Sequence, residues 1–311
     1  MNPKLRLIIV RRGYRRVFMQ NRNSFTVKSM ETDLSSWLEE HASVTLQAEA
    51  VPIRQNMVTL LAFVRDNKVV GTQSTGNLPL KAVREVTARF VDPPGLDTVI
   101  GDHIYKLRSE EEVWPLYFLH IVAEVGGLIK TGRSCRWQLT ARGRQFLEKD
   151  FPLQACYLLA VWWYKINWLV AYPFVGMGDR LPYFFSQATL TGLQELPTGK
   201  SVSFNTYADK LIGNTGLTWT APDSSFATSA LWGAIERMVV AVLKDFGGLT
   251  CRYREAPLGR GAITELDEIK VTQWGKALLK AMAVIGGYEP VDRQAAPNLY
   301  IIYGRKEKNI P

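Results

Sequence analysis

Two stretches of the chain follow one pattern. The first, residues 126–147, reads GGLIKTGRSCRWQLTARGRQFL, and the second, residues 247–279, reads GGLTCRYREAPLGRGAITELDEIKVTQWGKALL. Each begins with a glycine pair and ends with Thr-x-x-Gly before apolar residues. Glycine is the usual residue at the end of a helix, and threonine is a favourable N-cap for the next one. The pattern therefore predicts a helix, a β-hairpin and a closing helix, twice in one chain.

The residues before the glycine pairs support this interpretation. Aligning Gly126 with Gly247 places apolar residues on apolar residues at helical spacing. The aligned pairs are Leu119 with Val240, Val122 with Leu243 and Val125 with Phe246. The closing threonines, Thr140 and Thr272, lie further from the glycines in the second copy, so we expect a longer second hairpin.

The segments upstream of each glycine pair complete the repeat. In both copies an amphipathic segment, a connector that contains glycine and a second amphipathic segment precede the helix that ends at the glycines. The predicted helices are residues 54–67, 78–90 and 109–127 in the first copy, and 183–196, 204–212 and 224–248 in the second. Three helices, a hairpin and a closing helix are the elements of a winged helix-turn-helix domain.

The ends of both copies resemble those of MarR-type and related prokaryotic transcription regulators. The residues that carry the resemblance are Gly127, Leu128, Ile129, Leu139, Thr140, Gly143, Phe146 and Leu147, and then Gly248, Leu249, Val271, Thr272, Gly275, Leu278 and Leu279. The resemblance covers roughly residues 54–149 and 183–282. It implies tandem winged-helix repeats in a transcription regulator or a mobile-element protein. Winged helices also serve as protein-interaction modules, so this second function stays open.

We therefore predict a mainly α-helical protein with small β-hairpins, an α+β fold of two winged helix-turn-helix domains joined by a buried aromatic helix. The predicted divisions are an N-terminal strand and helix region (1–53), winged-helix domain 1 (54–150), the aromatic connecting helix (151–182), winged-helix domain 2 (183–284) and a C-terminal strand and tail (285–311). The strand-like segments 5–10 and 298–304 could pair. Trp162, Trp163 and Trp168 are expected to fill the interface between the two domains.

Basic residues in the two hairpins and the first closing helix are the predicted nucleic-acid contacts, because arginine neutralises and hydrogen-bonds phosphates. They are Arg133, Arg136, Arg142, Arg252, Arg254 and Arg260. Residues 11–16, RRGYRR, form a further basic cluster that could bind phosphates or lie in a charged turn.

The third helix of domain 1 favours the alternative function. Its conspicuous charges are Glu110, Glu111, Glu112 and Glu124, which DNA phosphates would repel. Two hypotheses follow: a nucleic-acid-binding protein, with DNA as the expected ligand, or an interaction scaffold whose winged domains contact a protein partner.

Composition and motif spacing indicate the class of partner and the location, and argue against several kinds of site. The net charge of +9 and a pI near 9.4 favour an anionic partner. The three scattered cysteines indicate a reducing, cytoplasmic location and no thiolate metal site. The apolar run at 155–164 is too short to cross a membrane. The histidines lack metal-site spacing, and Gly199-Lys200-Ser201 has Gln194 where a P-loop needs glycine. We thus expect no cofactor, no metal and no enzymatic activity, although a site assembled only in three dimensions would escape these rules.

Overall fold

The computed structural model describes residues 27–40, 50–100, 103–132, 134–171, 181–219, 223–258 and 261–287. These residues are mainly helical, with small antiparallel sheets, as predicted. The helices are α1 Val27–Glu40, α2 Pro52–Asp66, α3 Leu80–Thr87, α4 Trp114–Val125, α5 Ala141–Leu147, α6 Phe151–Lys165, α7 Phe185–Glu195, α8 Phe204–Thr215, α9 Ser224–Ile235, α10 Val242–Asp245 and α11 Gln273–Gly286. The strands are β1 Thr98–Ile100, β2 His103–Tyr105, β3 Ile129–Thr131, β4 Trp137–Leu139, β5 Ser201–Ser203, β6 Leu249–Leu258 and β7 Gly261–Val271.

Two units with the same order of elements occupy most of the described chain. The first unit contains α2, α3, α4, the β3–β4 hairpin and α5; the second contains α7, β5, α8, α9 with α10, the β6–β7 hairpin and α11. A π-helical turn, Glu236–Ala241, connects α9 to α10. The second unit has a three-stranded sheet in the order β5-β7-β6. In the first unit a single bridge between Val70 and Arg136 stands in the place of β5.

One element of the first unit was not predicted. Strands β1 and β2 form a two-stranded antiparallel hairpin between α3 and α4, with Ile104 65% exposed and Tyr105 47% exposed. Strands this short, without clear apolar alternation, give little sequence signal.

The glycines end the third helix of each unit by the same geometry. Gly127 and Gly247 have φ angles of 68° and 69°, in the left-handed region. The next amide donates back to the helix in both units, from Leu128 to Ala123 and from Gly248 to Leu243. This is the hydrogen-bond pattern of the Schellman motif.

The hydrogen bonds make Gly127 equivalent to Gly247, so the alignment of Gly126 with Gly247 was wrong by one residue. Phe246 is the residue equivalent to Gly126. Both adopt right-handed backbone angles, φ of −81° and −68°, which a residue with a side chain accepts. The left-handed backbone thus requires only one glycine of each pair. Close packing restricts Gly126 as well, because a Cβ there would lie 2.8 Å from the carbonyl oxygen of Val122.

The Thr-x-x-Gly motifs dock each closing helix onto this helix end. As predicted, Thr140 and Thr272 are N-caps whose hydroxyl oxygens accept from the amides of Gly143 and Gly275. The same hydroxyls donate to the carbonyls of the preceding glycine corner, at 2.7 Å for Thr140 and Gly127. One threonine side chain therefore joins the end of one helix to the start of another.

The aromatic helix α6 lies between the two units. Trp162, Trp163 and Trp168 are buried, which confirms their predicted packing role. Ring contacts run from Phe118 in α4 to Trp162 at 4.9 Å, on to Trp168 at 6.1 Å and to Phe185 in α7 at 5.9 Å. The two units are thus joined by a continuous row of packed aromatic side chains.

Helix α1 and the end of α6 tie the second unit to this core. The indole of Trp37 in α1 donates to the carbonyl of Ala277 at 3.0 Å. The hydroxyl of Tyr164 in α6 donates to the carbonyl of Met282 at 2.5 Å. The expected pairing of segments 5–10 and 298–304 lies outside the described residues.

Candidate nucleic-acid interface

The third helix of the first unit is largely unavailable to a ligand. Seven of its twelve residues, Leu116, Phe118, Leu119, His120, Ile121, Val122 and Ala123, are buried. The helix packs against α2 on one side and the aromatic helix α6 on another. A helix enclosed in this way cannot enter a DNA groove without unpacking the core.

The glutamates before this helix are used inside the protein. Glu110, Glu111 and Glu112 form a 3-10 turn that precedes α4. The carboxylate of Glu110 is fully buried; it lies 2.6 Å from Nδ1 of His120 and accepts from the amide of Leu78 at 2.5 Å. Glu111 accepts from the side-chain amide of Asn77 at 3.1 Å. Two of these carboxylates therefore bind the turn between α2 and α3, a role that the sequence alone did not reveal.

His120 is a buried imidazole with an acidic partner. Burial alone would lower its pKa, but the charge and hydrogen bond of Glu110 and the charge of Glu124 outweigh this effect, so that its pKa is raised overall. Its ring also lies 4.2 Å from that of Trp137 in β4. Glu110 and His120 thus connect α4 to both the turn between α2 and α3 and the β3–β4 hairpin.

The third helix of the second unit has the opposite character in its N-terminal half. Phe226 is 57% exposed, and Thr228 and Ser229 are exposed as well. The indole of Trp232, one turn further on, donates to Asp209 of α8 at 2.8 Å. From Ala234 onward the helix is mainly buried. The second unit therefore presents half of its third helix while the rest is anchored in the core.

This helix also has the length and composition of a membrane span. Within the 20 residues Phe226–Asp245, an 18-residue window has a mean hydropathy of 1.4. Half of this window is buried within the protein, and a core helix passes the same test, so the match is weak evidence for a membrane.

The predicted hairpin arginines of the second unit are paired with carboxylates. Arg252 lies 2.7 Å from both Asp267 and Glu268, and Arg254 lies 3.6 Å from Glu265. These acidic side chains come from β7, which is antiparallel to β6 and places them across from the arginines. The motif TELDEIK at 264–270 was the sequence signal for this neutralisation. Exposed ion pairs are weak, about 0 to 1 kcal/mol each, so a phosphate could still compete for the arginines.

Two predicted nucleic-acid contacts of the first unit, Arg136 and Arg142, lie in different environments. Arg136 is exposed and forms no ion pair among the described residues. Arg142 is half-buried, and its guanidinium donates to the carbonyl of Gly126 at 3.3 Å. Trp274 occupies the equivalent position of the second unit and donates to the equivalent carbonyl, that of Phe246, at 3.0 Å. Arg142 therefore satisfies a helix end as well as carrying charge.

Arg133 and Arg260 lie outside the described residues. So does the cluster at residues 11–16, whose surroundings in the sequence add a new observation. Residues 1–26 contain seven lysines and arginines and no aspartate or glutamate. This segment therefore carries +7 by itself, whereas residues 129–139 of the first hairpin carry +3 and residues 249–271 of the second, with four cations and four carboxylates, carry no net charge.

Within the described part of the chain, no three His, Cys, Asp or Glu side chains are grouped so as to hold a metal ion. In comparisons with known proteins, the sequence matches no family model, and no curated protein or solved structure resembles it at a significant level.

Proposed function

We propose that this is a cytoplasmic nucleic-acid-binding protein, with DNA as the ligand, built on two winged helix-turn-helix units of which the second docks the duplex. The observation that carries the proposal is the exposure of the first half of α9. The corresponding helix of the first unit, α4, is enclosed by the core.

The first half of α9 suits a contact with DNA. In helix-turn-helix proteins the N-terminal residues of the third helix contact base edges, and hydroxyl side chains bind phosphates. The sequence of α9, SSFATSALWGAI, carries serines and threonine near its start and no acidic residue. The positive end of the helix dipole adds a favourable field for an anion.

The charge for binding comes mainly from residues 1–26 in this proposal. Seven cations without a carboxylate can neutralise several phosphates, and each neutralised phosphate adds about 0.9 to the salt dependence of binding. Arg252 and Arg254 already have carboxylate partners, so their contribution is expected to be smaller than their number indicates. Helix α4 of the first unit then acts as a buttress that holds the second unit in place, while the exposed Arg136 of the first hairpin stays available to phosphates.

Fluorescence anisotropy of a labelled random-sequence duplex, measured from low to physiological salt, tests the proposal. We expect micromolar binding that weakens steeply with salt. Replacing Arg11, Arg12, Arg15 and Arg16 with glutamine should reduce the slope of log K against log salt by up to about 3.6, since four phosphate contacts are lost. Failure to bind even at low salt would overturn the proposal.

Two variants with the same change of charge test the docking helix. Ser229→Glu places a carboxylate on the exposed half of α9, and Lys280→Gln removes a charge from an exposed position of α11. We expect Ser229→Glu to weaken binding about tenfold more than Lys280→Gln, because a new carboxylate facing phosphates costs about 1 kcal/mol or more. Equal effects would mean that only net charge matters and that α9 does not dock.

A protein-interaction scaffold is the second candidate function. It is favoured by the neutralised arginines of the β6–β7 hairpin and by the apolar residues that both units expose, Phe226 and Ile104. Such side chains are typical of protein contacts. The Ser229→Glu and Lys280→Gln pair separates the two candidates, because the cations of residues 1–26 can attract a duplex at low salt in either case, whereas only the first candidate places α9 against it.

A further inference from the structure

The β3–β4 hairpin of the first unit is extended on one side by residues 68–70. Val70 forms an antiparallel bridge with Arg136, the residue just before β4. On the other side of β4, Lys130 of β3 lies opposite Gln138. The three segments therefore form a small sheet in which β4 is the central strand.

The alternation of side chains in a strand places five residues on the solvent side of this sheet. Val69, Ile129 and Trp137 point into the core and are buried. Their neighbours on the opposite face are all exposed, and they are Lys68, Val70, Lys130, Arg136 and Gln138. We call this set the basic face, because it carries three cations and no carboxylate.

The three cations of the basic face are not neutralised by the protein. Among the described residues, none of Lys68, Lys130 and Arg136 forms an ion pair. The carboxylate closest in sequence to Lys68 is that of Asp66, which lies 2.7 Å from the guanidinium of Arg65. The full charge of the face is therefore available to an anionic partner.

The equivalent face of the second unit has no net charge. Its strands have the same register, so each position of the basic face has a counterpart there. In the order Lys68, Val70, Lys130, Arg136 and Gln138, the counterparts are Ser201, Ser203, Thr250, Glu268 and Lys270. Glu268 is also paired with Arg252. The charge of the basic face thus belongs to the first unit and is not a requirement of the shared fold.

The form of the basic face favours an extended polyanion. Strands of a sheet lie about 4.8 Å apart, so the backbones of Lys68 and Lys130, on either side of β4, are about 10 Å apart. All positions are exposed on an open sheet surface, which does not enclose a small anion. Duplex DNA carries one negative charge per about 1.7 Å of helix axis and can meet several such cations at once. The face has no aromatic side chain on which unpaired bases could stack, which favours a duplex over a single strand.

We propose that the basic face is a second contact surface for duplex DNA, in which Lys68, Lys130 and Arg136 neutralise backbone phosphates without reading the sequence. Gln138 lies between the two lysines, and its side-chain amide can donate to a phosphate oxygen. The role of this face rests on the proposed function, because the ligand is the same duplex. The first unit then binds phosphates, and base contacts are left to α9 of the second.

Two triple variants that remove the same charge test the proposal on the full chain. The basic-face variant is Lys68→Gln, Lys130→Gln and Arg136→Gln. The control variant replaces three exposed lysines elsewhere, as Lys81→Gln, Lys106→Gln and Lys280→Gln. Circular dichroism and Tm show that both variants are folded, and fluorescence anisotropy measures their binding to random-sequence duplexes over a range of salt.

Loss of three phosphate contacts should reduce the slope of log K against log salt by up to about 2.7, whereas the control should reduce it by less than about 1. At low salt we expect the basic-face variant to bind about tenfold more weakly than the control. The loss should be the same on two duplexes of unrelated sequence, because phosphates carry no sequence information.

The outcomes separate this surface from the proposed function. If the natural protein binds the duplex but the two triple variants have equal slopes, the basic face is not a phosphate contact, and the docking of α9 is unaffected. A loss that depended on the duplex sequence would also overturn the proposal. If labelled polyglutamate bound the natural protein as tightly as the duplex does, and the basic-face variant lost that binding, the partner would be an acidic protein instead. Without any duplex binding by the natural protein, both proposals fail.

Discussion

Replacing Gly275 with alanine should destabilise the protein strongly. A Cβ atom at this position would lie 1.9 Å from the carbonyl oxygen of Gly248 and 2.7 Å from its carbon. Both are backbone atoms at the corner that ends the third helix of the second unit, so no rotamer change relieves the overlap. Helix α11 would have to move away by about 1 Å, which strains a close-packed core.

The size of the effect follows from what that movement disrupts. Overpacking of a well-packed site costs about 1 to 3 kcal/mol, and loss of an N-cap costs about 0.5 to 2 kcal/mol. The N-cap of Thr272 depends on the same close approach of α11 to the glycine corner. The Thr272 hydroxyl accepts from the amide of Gly275 and donates to the carbonyl of Gly247 at 2.8 Å. Together these give a destabilisation of about 3 kcal/mol. A domain of this size loses about 2 to 4 °C in Tm per kcal/mol, so we expect a fall of about 6 to 12 °C.

Gly213→Ala is the matched control. Gly213 lies in helix α8, and a Cβ there would meet no atom within 4 Å. The same substitution should therefore stabilise the helix, by up to about 1 kcal/mol. Thermal unfolding followed by circular dichroism measures both variants. If Gly275→Ala changed Tm no more than Gly213→Ala does, the close approach of α11 to the glycine corner would be ruled out as a structural requirement.

Two further predictions concern charged residues of both units. Because the pKa of His120 is raised in the folded protein, its pairing with Glu110 stabilises the fold fully below the unfolded pKa of about 6.5, and this contribution is lost as pH rises through the folded value. The free energy of unfolding of the natural protein and of His120→Gln is measured by urea titration. The difference between the two should shrink from pH 6 to pH 9, by about 1.4 kcal/mol for each pH unit by which folding raises the pKa of His120. A difference independent of pH would contradict the pairing. Charge reversal by Arg136→Glu should weaken duplex binding more than Arg254→Glu, because Arg254 already lies beside Glu265. Anisotropy at low salt measures both, and a larger effect of Arg254→Glu would show that its carboxylate partner does not reduce its role.

Most of the helix order could be predicted from the sequence, because it depends on local signals. Apolar residues at helical spacing and the N-caps Thr140 and Thr272 placed the elements within a few residues of their observed bounds. The one-residue error in the glycine alignment arose because either glycine of a pair can supply the left-handed residue. Only the hydrogen bonds of the folded corner identify which one does.

The candidate site was less predictable, because it depends on what lies across from each residue. The sequence identified arginines in both hairpins, but antiparallel pairing of β6 and β7 placed Glu265, Asp267 and Glu268 beside two of them. The glutamates before α4 suggested repulsion of DNA, yet folding buries Glu110 against His120.

The sequence by itself determined the repeat, the caps and the apolar faces, since these are set by residues within a turn or two of one another. Tertiary structure decided which third helix is enclosed and which is exposed. That choice depends on α6, whose aromatic side chains pack against α4 of the first unit and continue through Trp168 to α7 of the second, leaving the start of α9 uncovered. Which of these helices is buried depends on contacts between elements distant in the chain, so no local sequence pattern could have predicted it.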